Sequence, residues 1–261
     1  MSTYNNILFE VIDGIAYITL NRPENRNALT GEMKDELNSA IERVEKDKYI
    51  RVLVITGQEN VFCAGGDIKK ITQGLSPSEI RKLMEKSQVF LRKLVELEKP
   101  VIASVNGDAF GMGFNLALAA DFIIASERAR FCEVFIKIGA MPDFGALYFL
   151  PRLVGVLKTK ALTYLGEVIR ADEAQKMGLI SEVVADEKLK STTISLANQL
   201  ARLPTKAIGR IKRLLNKTFY LSFEEVLKEE IESQIFLSKT RDFQEGMKAI
   251  IEKRKPVFHG E

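Results

Sequence analysis

Two glycine-rich segments, VFCAGGDIKKI (61–71) and VNGDAFGMGFNLALAAD (105–121), each continue a short apolar run that reads as a buried strand. Glycines at Gly65, Gly66, Gly111 and Gly113 let a backbone approach a ligand closely. Gly113 opens a run of good helix formers, so the N–H groups around Met112 fall at a helix N-terminus. Unpaired donors at the positive end of a helix dipole suit a developing anion. Either segment alone reads as a tight turn. Together they read as two donors converging on one oxygen, an oxyanion hole, in which each donor is worth roughly 3–4 kcal/mol in the transition state. Neither is a dinucleotide fingerprint, because Leu116 stands where a third glycine is required.

A third segment, GAMPDFGALYFLP (139–151), sets the carboxylate of Asp143 among Met141, Phe144, Leu147, Tyr148, Phe149 and Leu150. A turn, a cap or chemistry accounts for a charge in such company. Pro142-Asp143 suits a type I turn, and Asp143 is placed to cap a helix starting at Phe144. Alternatively, its apolar neighbours raise its pKa and make it a stronger base. The only histidine, His259, lies in the charged tail KRKPVFHGE and reads as an exposed terminal residue. A Ser-His-Asp or Cys-His mechanism would need that tail folded into the site. Cys63 and Cys132 form no CxxC pair, so neither a disulfide framework nor a zinc site is suggested.

The elements that must carry these residues alternate. ILFEVIDGIAYITLN reads as a hairpin turning at Asp13-Gly14, and LTGEMKDELNSAIERVEKD as a helix with Thr30 as N-cap and Leu37, Ile41 and Val44 on one face. RVLVITG, VIASVNG and DFIIA read as buried strands, and SPSEIRKLMEKSQVFLRKLVELEKP as a long amphipathic helix stopped by Pro100. Alternating strands and helices predict an α/β fold. From about Asp186 four amphipathic segments follow, so residues 1–200 are expected to form the core and 201–261 a helical C-terminal region.

The 261 residues carry 38 basic and 35 acidic side chains, a net +3 that implies neither a nucleic-acid nor a membrane partner. No signal peptide is evident and no apolar run reaches about 20 residues, so a cytoplasmic protein is expected. KAIGRIKRLLNK (206–217) has five basic and no acidic residues. It reads as a solvated or subunit-facing helix; salt-dependent RNA binding by a non-catalytic protein is the alternative.

NRPENRNAL, VFCAGGDIKKI, VIASVNGDAFGMGFNLALAADFIIAS, MPDFGALYFLPRLVG, GLISEVV and DFQEGMKAIIEKRKPVF occur in the order seen in the crotonase (enoyl-CoA hydratase/isomerase) superfamily, which the chain resembles over nearly its whole length. The resemblance implies a spiral of ββα units with a helical C-terminal region that trimerises, often as a dimer of trimers. It implies that the N–H groups of Gly66 and Met112 hold the thioester oxygen of an acyl-CoA as an enolate forms. Ala64, Asp67 and Ile68 would bind coenzyme A, the last two bordering the adenine. Asn115 and Phe135 would line the substrate. Lys253 is similar to a lysine that reaches the coenzyme A phosphate of a neighbouring subunit, or is a solvated residue of a charge run. No metal or redox cofactor is implied, since coenzyme A arrives as part of the substrate.

Hydratases of this family use two glutamates, and the corresponding positions here are Asn115 and Phe135. Neither replaces a general base. Glu133 is two residues away, which on a strand displaces it by roughly 7 Å, and it is expected to be a partly exposed structural residue. Aspartate at position 143 without the hydratase glutamates resembles the 1,2-epoxyphenylacetyl-CoA isomerases and Δ3,Δ2-enoyl-CoA isomerases. One departure is Ala146, where a further glycine is usual. The expectation is a double-bond or ring-epoxide isomerase with Asp143 as its single acid/base; hydratase activity is the rival, and a non-catalytic binder of acyl-CoA or RNA is the alternative of another class.

Overall fold

The computed structural model describes residues 4–67 and 74–261. Asp13 and Gly14, both at positive φ, turn β1 (Ile7–Ile12) into the antiparallel β2 (Ile15–Leu20). The hairpin leads to α1 (Gly31–Lys46), capped by Thr30, whose side chain accepts from the Met33 N–H.

Three strand pairs follow. They are β3 (Val52–Gly57) with β4 (Val61–Cys63), β5 (Val101–Val105) with β6 (Asp108–Phe110), and β7 (Phe122–Ser126) with β8 (Arg130–Cys132). The first pair leads to α2 (Pro77–Glu96) and the second to α3 (Met112–Leu118), so the chain repeats strand, strand, helix. Beyond β8 come α4 (Ala146–Leu165), β9 (Ile169–Arg170), α5 (Ala171–Lys176) and β10 (Glu182–Val184). One member of each pair joins a six-stranded sheet in the order β1-β2-β3-β5-β7-β10, and the other a four-stranded sheet in the order β4-β6-β8-β9. Within both sheets the paired strands run parallel, β3-β5-β7 and β4-β6-β8. This is the expected α/β spiral of ββα turns.

Strands covered on both faces need apolar side chains at every position, which is why VLVIT and VIASV lack alternation. One face of the larger sheet packs into the main core with Leu37, Ile41 and Val44 of α1. The other is closed by α6 (Leu189–Ala201), whose Leu189, Ala197 and Leu200 meet Val52, Val54, Ile102 and Ile124. The remaining helices are α7 (Thr205–Leu215), α8 (Phe223–Ser238) and α9 (Arg241–Ile251).

The basic segment on α7 makes largely intramolecular contacts. Lys212 is buried and ion-paired with Asp121 at 2.8 Å, Arg213 pairs with Glu98, Lys217 pairs with Glu229, and Arg210 stacks on Phe236. Among the described residues, no helix is long and apolar enough to cross a membrane.

Candidate active site

Because β4, β6 and β8 are parallel neighbours, the segments leaving their carboxyl ends emerge side by side. Ligands of open α/β sheets bind at such ends. The first strand delivers Gly65 and Gly66, the second Gly111 and Met112, and the third Glu133, Phe135 and then Asp143. The sequence enforces close approach of the first two segments. A Cβ on Gly113 would overlap the Cys63 carbonyl oxygen, and one on Gly66 would lie 2.9 Å from the Met112 Sδ. The Gly111 N–H donates to the Cys132 oxygen at 2.9 Å, tying in the third. Among the described residues, no acceptor engages the N–H of Gly66 or of Met112, so both donors remain available.

Asp143 ends a loop that the site itself holds. Asn115 on α3 is fully buried, and its Nδ2 donates to the Asp143 main-chain oxygen at 3.0 Å. Thus Asn115 secures the acidic loop by its backbone. Asp143 does not cap a helix from Phe144 as the sequence suggested. Phe144 takes φ +53° and Gly145 φ +83°, the Ala146 N–H reaches the Asp143 oxygen at 3.2 Å, and α4 starts two residues later than expected without a side-chain cap. The carboxyl is therefore not used by the helix. Asp143 is half-buried, with Oδ1 buried and unpartnered. Burial raises its pKa, opposed by Lys34 and by a backbone hydrogen bond. Phe135 and Phe144 are both buried, and Phe144 packs on Phe90 of α2 with ring centroids 5.1 Å apart. Met141, in contrast, is 69% exposed and contributes little to that apolar environment.

Two residues gain importance from the structure. Lys34 of α1 is only 6% exposed, and its Nζ donates to Ser87 Oγ of α2 at 2.7 Å. Burial lowers the pKa of this ammonium, opposed first by Asp143 and then by Cys63. Its spacing from Leu37 and Ile41 (i, i+3, i+7) was the available signal, since it places a cation on the buried face of α1.

Glu133 overturns the expectation of a partly exposed side chain on a strand. The strand ends at Cys132, and Glu133 precedes a 3-10 helix, Val134–Ile138, so the alternation of a strand no longer governs where it points. The residue is 1% exposed, with neither carboxyl oxygen partnered. Its pKa is pushed up to about 8, by burial first and by Asp143 second. The Asn115 amide opposes the rise from nearby without reaching hydrogen-bond geometry.

The remaining candidates lie apart in role. The Ala64 N–H donates to the Arg26 oxygen at 3.0 Å, and Asp67 faces the Arg22 guanidinium at 3.6 Å. Ile68 lies outside the described residues. Lys253 follows α9, exposed and at φ +54°, and among the described residues no hydrogen bond or ion pair joins it to the other candidates. Among the described residues, no group of three or more His, Cys, Asp or Glu is arranged to hold a metal ion.

Donors for an oxyanion beside a carboxyl of raised pKa can stabilise an enolate and move a proton. Comparisons with known proteins identify the family. The family model for enoyl-CoA hydratase/isomerase matches residues 10–261. A probable enoyl-CoA hydratase of Rhodobacter capsulatus is 38% identical over 99% of both chains. A 1,2-epoxyphenylacetyl-CoA isomerase of Escherichia coli is 37% identical over 97% of this chain and 98% of its own. The crystal structure of a putative enoyl-CoA hydratase from Streptomyces coelicolor superposes with a TM-score of 0.94 at 32% identity, covering 100% of this chain and 96% of that one. The chain belongs to the enoyl-CoA hydratase/isomerase family.

Proposed function

We propose that this protein isomerises an acyl-CoA thioester by shifting a double bond, with ring-epoxide isomerisation as a close variant. The thioester acidifies the carbon between itself and a displaced double bond. Asp143 takes a proton from that carbon, the electron pair moves onto the thioester oxygen, and the Gly66 and Met112 N–H groups hold the resulting dienolate. Asp143 then returns the proton two carbons further on, so the enzyme ends as it began.

The observation that carries this reading is the fate of the carboxyls at the strand ends. Asp143 is half-buried and bears no cap, Asp67 faces Arg22, and the hydratase positions hold Asn115 and Phe135. A single carboxyl that reaches both carbons suffices for isomerisation, whereas hydration also needs a positioned water. The isomerase name of the Escherichia coli relative supports the same choice. Hydratase activity is the second reading, favoured by the name of the Rhodobacter capsulatus relative and by the nearby Glu133.

Rates of 3-enoyl-CoA isomerisation and of water addition to crotonyl-CoA by the purified protein decide between them. Isomerisation faster by orders of magnitude is expected; comparable hydration contradicts the proposal.

Assembly as a trimer or dimer of trimers belongs to the same proposal. The groove between α7 and α8 is apolar and open, with Ile211, Leu215, Ile231 and Ile235 all exposed. Such a surface suits contact with further copies of the chain.

A further inference from the structure

Asn115, Glu133 and Asp143 bring together acceptors without donors. Asn115 Oδ1, both carboxyl oxygens of Glu133 and Asp143 Oδ1 are buried, and none has a hydrogen-bond partner. Asn115 and Glu133 are 0% and 1% exposed, and Asn115 is bonded to the Asp143 backbone. Two ionised carboxyls in such a place would be unpaired buried charges that repel one another. A proton on one of them removes the repulsion and supplies a donor to the unpartnered acceptors.

The surroundings decide which carboxyl carries it. Lys34 approaches Asp143 from α1 and favours its ionised form. Among the described residues no cation bears on Glu133; Asp143 does, and Asn115 from α3 is neutral. The other titratable neighbour is the buried Cys132 thiol, on which Glu133 and Lys137 act in opposite directions. Environments that separate two neighbouring carboxyls in this way assign one as acid and the other as base.

Building on the role of Asp143 above, we propose that Glu133 is a positioning residue that remains a neutral acid. It donates its proton to the oxygen cluster of Asn115 and Asp143, and so holds Asp143 as the ionised base. Loss of the Glu133 proton sets a second negative charge beside Asp143 and the developing oxyanion, which shuts the site down. Burial and Asp143 place that loss near pH 8.

Two measurements on the intact protein test this. Infrared difference spectra between about pH 6 and about pH 10 read the proton without any turnover. A protonated-carboxyl band is expected that disappears with rising pH and is missing from Glu133→Gln. Its absence from wild type, or its persistence in Glu133→Gln, overturns the proposal. If Glu133→Gln does not fold, Asp143→Asn serves instead: removing the neighbouring carboxylate should lower the pH at which the band disappears, and an unchanged midpoint overturns the proposal.

The second measurement is the pH profile of isomerisation. Wild-type kcat/KM should fall about tenfold per pH unit above the Glu133 pKa. Glu133→Gln, which mimics the neutral acid, should keep its activity at about pH 6 within roughly tenfold and lose the alkaline limb. An identical limb in the variant overturns the proposal. A protein without isomerase activity would refute the proposed reaction, while the infrared titration would still decide the state of Glu133.

Discussion

Replacing Glu133 with glutamine should make the fold progressively more stable relative to wild type as the pH rises. Folding raises the Glu133 pKa from 4.5 to about 8, so the folded chain binds this proton more tightly than the unfolded chain. The stability this contributes is fully present below the unfolded pKa and is lost as pH rises through the folded one. Glutamine does not titrate and cannot suffer that loss. At about 1.4 kcal/mol per pKa unit, the shift sets a ceiling of about 5 kcal/mol on the relative gain of Glu133→Gln between pH ~4 and pH ~9. Urea unfolding of both proteins at several pH values, at one fixed protein concentration, measures it. The difference between variant and wild type should grow across this window and level off above it. A difference constant to within about 0.5 kcal/mol across this window would refute the buried neutral acid, and an opposite slope confined below the unfolded pKa of 4.5 would show that Glu133 is ionised and stabilised.

Two further outcomes follow from named contacts. Lys34→Met removes the cation that opposes the rise in the Asp143 pKa, so the acid limb of kcat/KM should move to higher pH; an unmoved limb means that Lys34 does not act on Asp143. Gly113→Ala places a Cβ on the Cys63 oxygen at the start of α3. It should cost about 1–3 kcal/mol in thermal or urea unfolding and weaken the adjoining Met112 donor, and a variant of wild-type stability would contradict the close packing.

The fold was legible because local signals and tertiary packing agree. Asp13-Gly14 turns the hairpin, Thr30 caps α1, and the strands without alternation lie between two packed layers. The two glycine segments could be paired in advance because each continues a buried strand. Glu133 was misjudged for a physical reason: strand alternation was carried past Cys132, where the backbone leaves the strand and turns into a 3-10 helix. Asp143 escaped its expected capping role because Phe144 and Gly145 both turn left-handed before α4 begins. Lys34 was visible on the buried face of α1, but helical periodicity alone does not tell which distant carboxyl a buried lysine will meet.

The central claim is that one carboxyl moves the proton. Its most direct measurement is the turnover of a 3-enoyl-CoA by Asp143→Asn, alongside its affinity for a saturated acyl-CoA. The amide keeps the shape of the side chain and removes the base. A loss of roughly 10²–10⁴-fold in kcat with binding retained is the predicted result. Turnover equal to that of the wild-type protein would contradict it.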